Sequence, residues 1–205
     1  MKSAPTEELA RLVEAEFADR IASQPGFVWY ALLDCVGGVL MTISVFHERE
    51  QAAGSRELAR RWTEERLRGF DLTLTEGLNG AVPVTRVAAG LLEPAPARFA
   101  RIRRYKLGDA DLGEVVWRVV DSRLAERVAE LDGFVAYFVF SPGAGELVTV
   151  SVFRNHAAAT ASDELALAFV RDELDGLNLE RTATIGGGEI VVSRVNQALL
   201  GPIHS

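Results

Sequence analysis

The residues of this chain able to act on a bound molecule are few, and they are aromatic rather than ionic. Trp62 offers an indole face on which a planar substrate can stack, and Tyr30 offers a hydroxyl able to orient a substrate or to bond to backbone. Phe169 and Tyr137 stand 107 positions after these two, so core packing is a sufficient reading for both pairs. Trp29 is different, because its counterpart is Ala136. Neighbouring residues on a strand point to opposite faces, so Trp29 and Tyr30 cannot line one pocket without a bulge. Thr42, Ser44 and Phe46 complete the candidate lining set, the first two as hydrogen-bond donors.

Other chemistry finds little support. His47 and His156 each have an arginine as counterpart, Arg154 and Arg49, which reads as an exposed polar position; His204 lies in the C-terminal tail. No H-x-x-x-H, C-x-x-C or H-E-x-x-H spacing exists, so neither a metal site nor another cofactor is expected. Gly186, Gly187 and Gly188 are expected in a hairpin-like turn and not between a strand and a helix, which excludes a phosphate cradle. The net charge of −7 is spread evenly, with 10 Lys+Arg against 14 Asp+Glu up to residue 93 and 12 against 15 beyond it. Neither part is basic, which argues against nucleic acid and anionic membrane as partners. The charge-alternating run Arg56–Arg68 reads as a solvated helix face. One cysteine, Cys35, permits no internal disulfide and reads as a small hydrophobe at a strand end. No stretch has the apolar length of a signal peptide or of a membrane span, and a cytoplasmic location is the expectation.

The elements that would position these side chains recur. GFVWYALLDCVGGVLMTISVF from Gly26 aligns with GFVAYFVFSPGAGELVTVSVF from Gly133, and the match continues without a gap across about fifty positions. After one inserted residue, Ala81–Val87 falls on Glu189–Val195. Each copy reads as a helix, a hairpin, a second helix and two closing strands. The first helix carries Leu9, Leu12, Val13, Phe17 and Ile21 on one stripe, matched by Val116, Val119, Val120, Leu124 and Val128. The hairpins pair Phe27–Leu33 with Leu40–Phe46 and Phe134–Phe140 with Leu147–Phe153. Ser55 and Ser162 are expected to cap the second helices. The closing strands are expected at Leu72–Glu76 with Val82–Ala88, and at Leu179–Ile185 with Glu189–Val195. The second copy has one more strand in front, Arg98–Leu107, which the first lacks. The expected organisation is a first unit over 1–90, a linker over 91–97 and a second unit over 98–205.

The fold class that follows is α+β, with tandem ferredoxin-like units whose antiparallel sheets pack face to face as a pseudodimeric α/β barrel. The strand missing from the first unit leaves an edge for another strand to fill, and a homodimer through that edge is one expectation.

The motif E-x-x-D-R-x-x-x-x-P-G-F-V-x-Y from Glu16, the S-V-F strand end, A-x-x-S-x-E-L-A from Ala52 and G-x-V-x-V-x-R from Gly80 together resemble the antibiotic biosynthesis monooxygenase-like group of the dimeric α/β-barrel superfamily. The resemblance implies a small apolar pocket in each unit, between sheet and helices. Haem-degrading members use an Asn on the first strand with a Trp and a His; RFARIRRYKL contains no Asn, which disfavours haem degradation. Cofactor-free oxygenases of the group hold a phenolic substrate and stabilise its enolate, a role for which Tyr30, Trp62, Thr42 or Ser44 would have to supply the donor. Two readings stand: a cofactor-independent monooxygenase acting on a small hydrophobic aromatic, and a non-catalytic module that binds a small apolar ligand or serves as a stress-associated protein.

Overall fold

The computed structural model describes residues 4–93, 98–143, 145–175, 177, 179–199 and 203–204. Part of the expected linker, residues 94–97, lies outside them. The chain is α+β. In order, its elements are helix α1 over 4–22, strands β1 (Phe27–Cys35) and β2 (Leu40–Phe46), helix α2 (Arg49–Arg66), strands β3 (Ala81–Ala88) and β4 (Phe99–Leu107), helix α3 over 113–129, strands β5 (Phe134–Gly143) and β6 (Glu146–Phe153), helix α4 (His156–Glu173), and strands β7 (Leu179–Val195) and β8 (Ile203–His204). Helices α1 and α3 each contain one π-helical turn, Val13–Phe17 and Val120–Leu124, at the same place in the aligned sequences.

Two compact units divide the chain. Unit 1 comprises Met1–Gly77 with Ile190–Leu200, and unit 2 comprises Leu78–Glu189 with Gly201–Ser205. In unit 1, β1 lies between β2 and the end of β7. The β1–β2 hairpin is antiparallel, with Leu32 opposite Thr42 and Tyr30 opposite Ser44. The stripe predicted for α1 is buried against this sheet, where Leu9, Val13, Phe17 and Ile21 pack with Tyr30, Leu32 and Trp62. In unit 2 the order is β7-β4-β6-β5-β3-β8, antiparallel except for β3 with β8. Val116, Val120, Leu124 and Val128 of α3 cover one face together with Phe169 of α4.

The strand expected to close the first unit, β3, pairs with β5 in unit 2, while the end of β7 closes unit 1. The two closing segments carry the same residues at Val84 and Val192, Arg86 and Arg194, and Val87 and Val195, so each edge still receives an arginine with valines on either side of it. Arg86 on β3 binds Asp121 and Glu126 of α3, both at 2.8 Å. Arg194 on β7 binds Glu14 and Asp19 of α1 at 2.8 and 2.7 Å.

Three expectations are corrected. The second helices begin well before Ser55 and Ser162: Glu48 caps α2 through a capping box with Gln51, and the Asn155 side chain accepts from Ala158 N–H at 2.8 Å to cap α4. The serines lie inside the helices, buried, with their hydroxyls donating to the carbonyls of Ala52 and Ala159 at 2.8 and 2.6 Å. Leu72–Glu76 forms no strand. Its counterpart in unit 2 pairs with β4, and among the described residues no strand stands at the outer edge of β2, so 72–76 has no such ladder to join. Finally, Gly186–Gly188 is no turn: β7 runs through it as one strand of 17 residues. A Cβ on Gly187 would lie 2.6 Å from the Ala100 carbonyl oxygen, and Gly186 has φ 145°, so the glycines serve a close, bulged approach to β4.

Candidate functional site

The helix-covered face of unit 2 carries a row of polar groups that would be costly to bury unpaired. On β4, Arg103 stands opposite Thr149 of β6 and Arg101 opposite Ser151. Thr149 stands opposite Val139 of β5, and Ser151 opposite Tyr137. Arg103 is 1% exposed. Its guanidinium is nevertheless fully engaged: Nε donates to Asp163 Oδ1 at 2.7 Å, Nη1 to Ser151 Oγ at 3.0 Å and Nη2 to Ser162 Oγ at 2.6 Å. Arg101 Nε donates to the other carboxylate oxygen of Asp163 at 2.8 Å. Burial alone would push the Asp163 carboxyl up, but the hydrogen bonds and positive charges of Arg101 and Arg103 outweigh it and hold the group below the usual carboxylate range. The cluster is therefore a fixed arrangement of two cations around one anion, carrying net positive charge.

Tyr137 completes this face. Its hydroxyl is buried and has no hydrogen-bond partner among the described residues. Burial raises its pKa strongly, with Tyr105 adding to the shift and the Arg103 charge opposing it, so the phenol stays protonated and is a donor in waiting. Beside these groups is a small apolar cavity of ≈ 20 Å³ lined by Tyr105, Leu124, Val139, Thr149, Phe169 and Leu174, among others. That volume is of the order of one water, so an aromatic ligand enters only if the lining yields. The π-helical turn Val120–Leu124 supplies two of the lining residues, and such turns are places where a helix can shift. A larger open depression of ≈ 470 Å³ lined by Glu126, Glu130, Asp132 and Arg154 is a surface feature edged by charged side chains.

Unit 1 brings Tyr30 and Trp62 together, but with a third ring between them. Phe17 lies 5.6 Å from Tyr30 and 4.9 Å from Trp62, centroid to centroid. Leu124 stands at the matching position in unit 2, and the smaller side chain there lines the cavity. Burial raises the Tyr30 pKa strongly. The Trp62 indole N–H is directed toward Glu16, which it helps hold below the usual carboxylate range after the larger effect of Arg66, but it makes no hydrogen bond of ordinary geometry. Trp29 lies on the other face of β1, fully buried, and its Nε1 donates to Ser193 Oγ at 3.2 Å. Thr42 and Ser44 are exposed, and Phe46 packs edge-on against Phe27 at 5.8 Å. Tyr137 and Phe169 both belong to the core of unit 2.

Arg103, Asp163, Ser151 and Ser162 did not figure among the sequence candidates. Two signals pointed to them: arginines at alternate positions of a strand flanked on both sides, and an aspartate where the other copy has Arg56. Among the described residues, no group of three or more His, Cys, Asp or Glu could hold a metal ion, and no helix is long and apolar enough to cross a membrane.

An α+β chain whose mainly antiparallel strands carry helices on one face in each unit, with a polar cluster beneath those of unit 2, is the class of protein these features define. No family model matches the sequence, and no curated protein does. Solved structures do share the fold. A protein of Fusobacterium nucleatum subsp. nucleatum, provisionally named a monooxygenase, is similar with a TM-score of 0.65 at 6% identity, over 90% of this chain and 92% of that one. Another with the same provisional name, from Lactobacillus acidophilus, is similar with a TM-score of 0.64 at 14% identity, over 93% of this chain and 89% of that one. An anthrone oxidase-like protein is similar with a TM-score of 0.54 at 14% identity, over 96% and 87%.

Proposed function

We propose that this protein is a cofactor-independent monooxygenase whose working site is the Arg103–Tyr137 face of unit 2, and whose substrate is a small aromatic with an acidic hydroxyl or its enolisable keto form. The observation that carries the reading is the Tyr137 hydroxyl, buried without a partner on the same face as the buried guanidinium of Arg103. Most buried polar groups have a hydrogen-bond partner, and a substrate oxygen would supply one to this hydroxyl. Monooxygenase and anthrone oxidase-like names among proteins of the same fold point the same way. A tandem duplication of a ferredoxin-like unit accounts for the recurring elements.

In this reading the Tyr137 O–H donates to the substrate oxygen, and the positive charge of Arg103 stabilises the oxyanion formed when the substrate loses its proton. With the Tyr137 phenol held protonated by burial and Asp163 held as a carboxylate by its arginines, the proton passes to water and the site acts by making the substrate more acidic. The electron-rich enolate carbon then reacts with O2. A carbon–oxygen bond forms, and loss of one water from the hydroperoxide leaves a carbonyl where the substrate had a methylene.

A binding role without turnover is the second reading, favoured by the smallness of the cavity. Oxygen uptake with anthrone- and quinol-like substrates separates the two. Turnover that falls in Arg103→Met and Tyr137→Phe supports catalysis in unit 2. Binding seen by tryptophan fluorescence with no uptake supports the second reading. Uptake that responds only to Tyr30→Phe and Trp62→Phe moves the site to unit 1.

A further inference from the structure

Strand β2 pairs with β1 on one side, and among the described residues no strand pairs with its other side. The matching strand of unit 2, β6, has the same kind of sequence and uses both edges, for β5 and for β4. Burial records the difference. Leu147–Phe153 is buried throughout, whereas Thr42 and Ser44 of β2 are exposed and its apolar residues are only partly covered. Soluble proteins guard such edges with charge, proline or a bulge, and LMTISVF contains no charge and no proline. Following α2, residues 71–76 run without regular structure, with Leu72 46% and Leu74 88% exposed. Their counterparts begin strand β7, which pairs with β4. Among the described residues, unit 1 thus has no strand in the place beside β2 that β4 takes beside β6 in unit 2.

The charge of that strand can be read from the helix above it. In unit 2, α4 packs on β6 and β4, and its Asp163 holds Arg101 and Arg103 of β4. In unit 1, α2 packs on β2, and Arg56 stands at the matching position. Arg56 is exposed and has no ion-pair partner among the described residues. The sign is reversed, so the strand that fits beside β2 carries carboxylates where β4 carries arginines.

We propose that the free edge of β2 docks an extended acidic segment of a partner protein, which adds as an antiparallel strand with its carboxylates facing Arg56. Backbone hydrogen bonds to the edge supply affinity, and Arg56 supplies selectivity. A second copy paired through its own β2 answers this chemistry poorly, because that strand has no carboxylate.

The test uses the full chain and two fluorescent peptides: Arg98–Leu107 as it stands, and the same peptide carrying Arg101→Glu and Arg103→Glu. Fluorescence anisotropy should show the glutamate-bearing peptide binding at least about tenfold more tightly than the other. The Arg56→Glu protein should reverse that order, with an unchanged circular dichroism spectrum. Thr42→Lys, at an exposed position of the edge strand, should weaken both. No saturation by either peptide up to about 1 mM, or equal binding of the two, overturns the proposal. So does a dimer in sedimentation equilibrium that Thr42→Lys disperses, an outcome that assigns the edge to a second copy.

Discussion

Replacing Asp163 by Asn keeps the shape of the side chain but removes the negative charge that neutralises Arg103. The guanidinium is 1% exposed and the aspartate side chain 15%, so the arginine has little water to turn to. Removing one partner of a buried pair costs roughly 3–5 kcal/mol. Because Arg101 remains 28% exposed and Ser151 and Ser162 still accept from Arg103, about 3 kcal/mol is expected. In a chain of this size that lowers the melting temperature by about 6–12 °C. Urea denaturation gives the free energy, calorimetry the temperature. Arg103→Met with Asp163→Leu should recover most of the loss, since a packed apolar pair has no desolvation to offset. A single-mutant cost below about 1 kcal/mol, or a double mutant no better than the single, refutes the account of how β4 is held to α4. The acid limb provides a second check. The folded pKa of Asp163 lies below its ordinary 3.8, so its stabilisation is complete above that value and is lost as pH falls through the folded one. Wild type and Asp163→Asn should therefore differ by a constant amount from about pH 5 to 8 and converge only below about pH 4.

Tyr137→Phe removes a buried hydroxyl that has no partner, and should raise stability by about 1 kcal/mol in urea while lowering kcat/KM for oxygen uptake. Leu124→Phe places in unit 2 the ring that Phe17 supplies in unit 1. It should fill the ≈ 20 Å³ cavity, cost about 1–3 kcal/mol through overpacking and abolish uptake, yet leave peptide binding at β2 untouched. Gly187→Ala sets a methyl 2.6 Å from a carbonyl oxygen of β4, a backbone atom that cannot swing aside, and should destabilise the chain by about 1–3 kcal/mol in the same assay.

The hairpins and helices were legible because each rests on local signals. Apolar spacing identified the buried face of α1, and residues Leu9, Val13, Phe17 and Ile21 lie where that spacing puts them. Segments whose conformation depends on a distant partner were not. Leu72–Glu76 alternates apolar residues with threonine and reads as a strand, but a strand is stable only beside another, and the one required is missing from unit 1. Gly186–Gly188 reads as a turn because glycine frees the backbone. The sequence does not say that the freedom serves a close approach to Ala100 rather than a reversal. Ser55 and Ser162 have the chemistry of caps, but Glu48 and Asn155, seven residues earlier, hold the first free N–H groups of their helices.

The choice of a candidate site turns on a different kind of signal. Aromatic residues shared by both copies drew attention to Tyr30 and Trp62, although likeness between copies is what packing alone would produce. The informative positions were those where the copies disagree in kind. Phe17 packs a ring against Trp62 in unit 1 where Leu124 lines a cavity in unit 2. Arg56 against Asp163 decides the charge of the strand each unit accepts. Both differences concern volume or charge beneath or beside one strand, β4, present in unit 2 and without a counterpart in unit 1. With that strand in place, its arginines need a buried carboxylate and create a positive face able to hold an oxyanion. Where it is missing, the same sheet edge is left open and the residue above it changes sign. The proposed site for a small molecule and the proposed site for a partner strand thus trace to one structural difference, and substitutions at Leu124 and Arg56 should separate them cleanly.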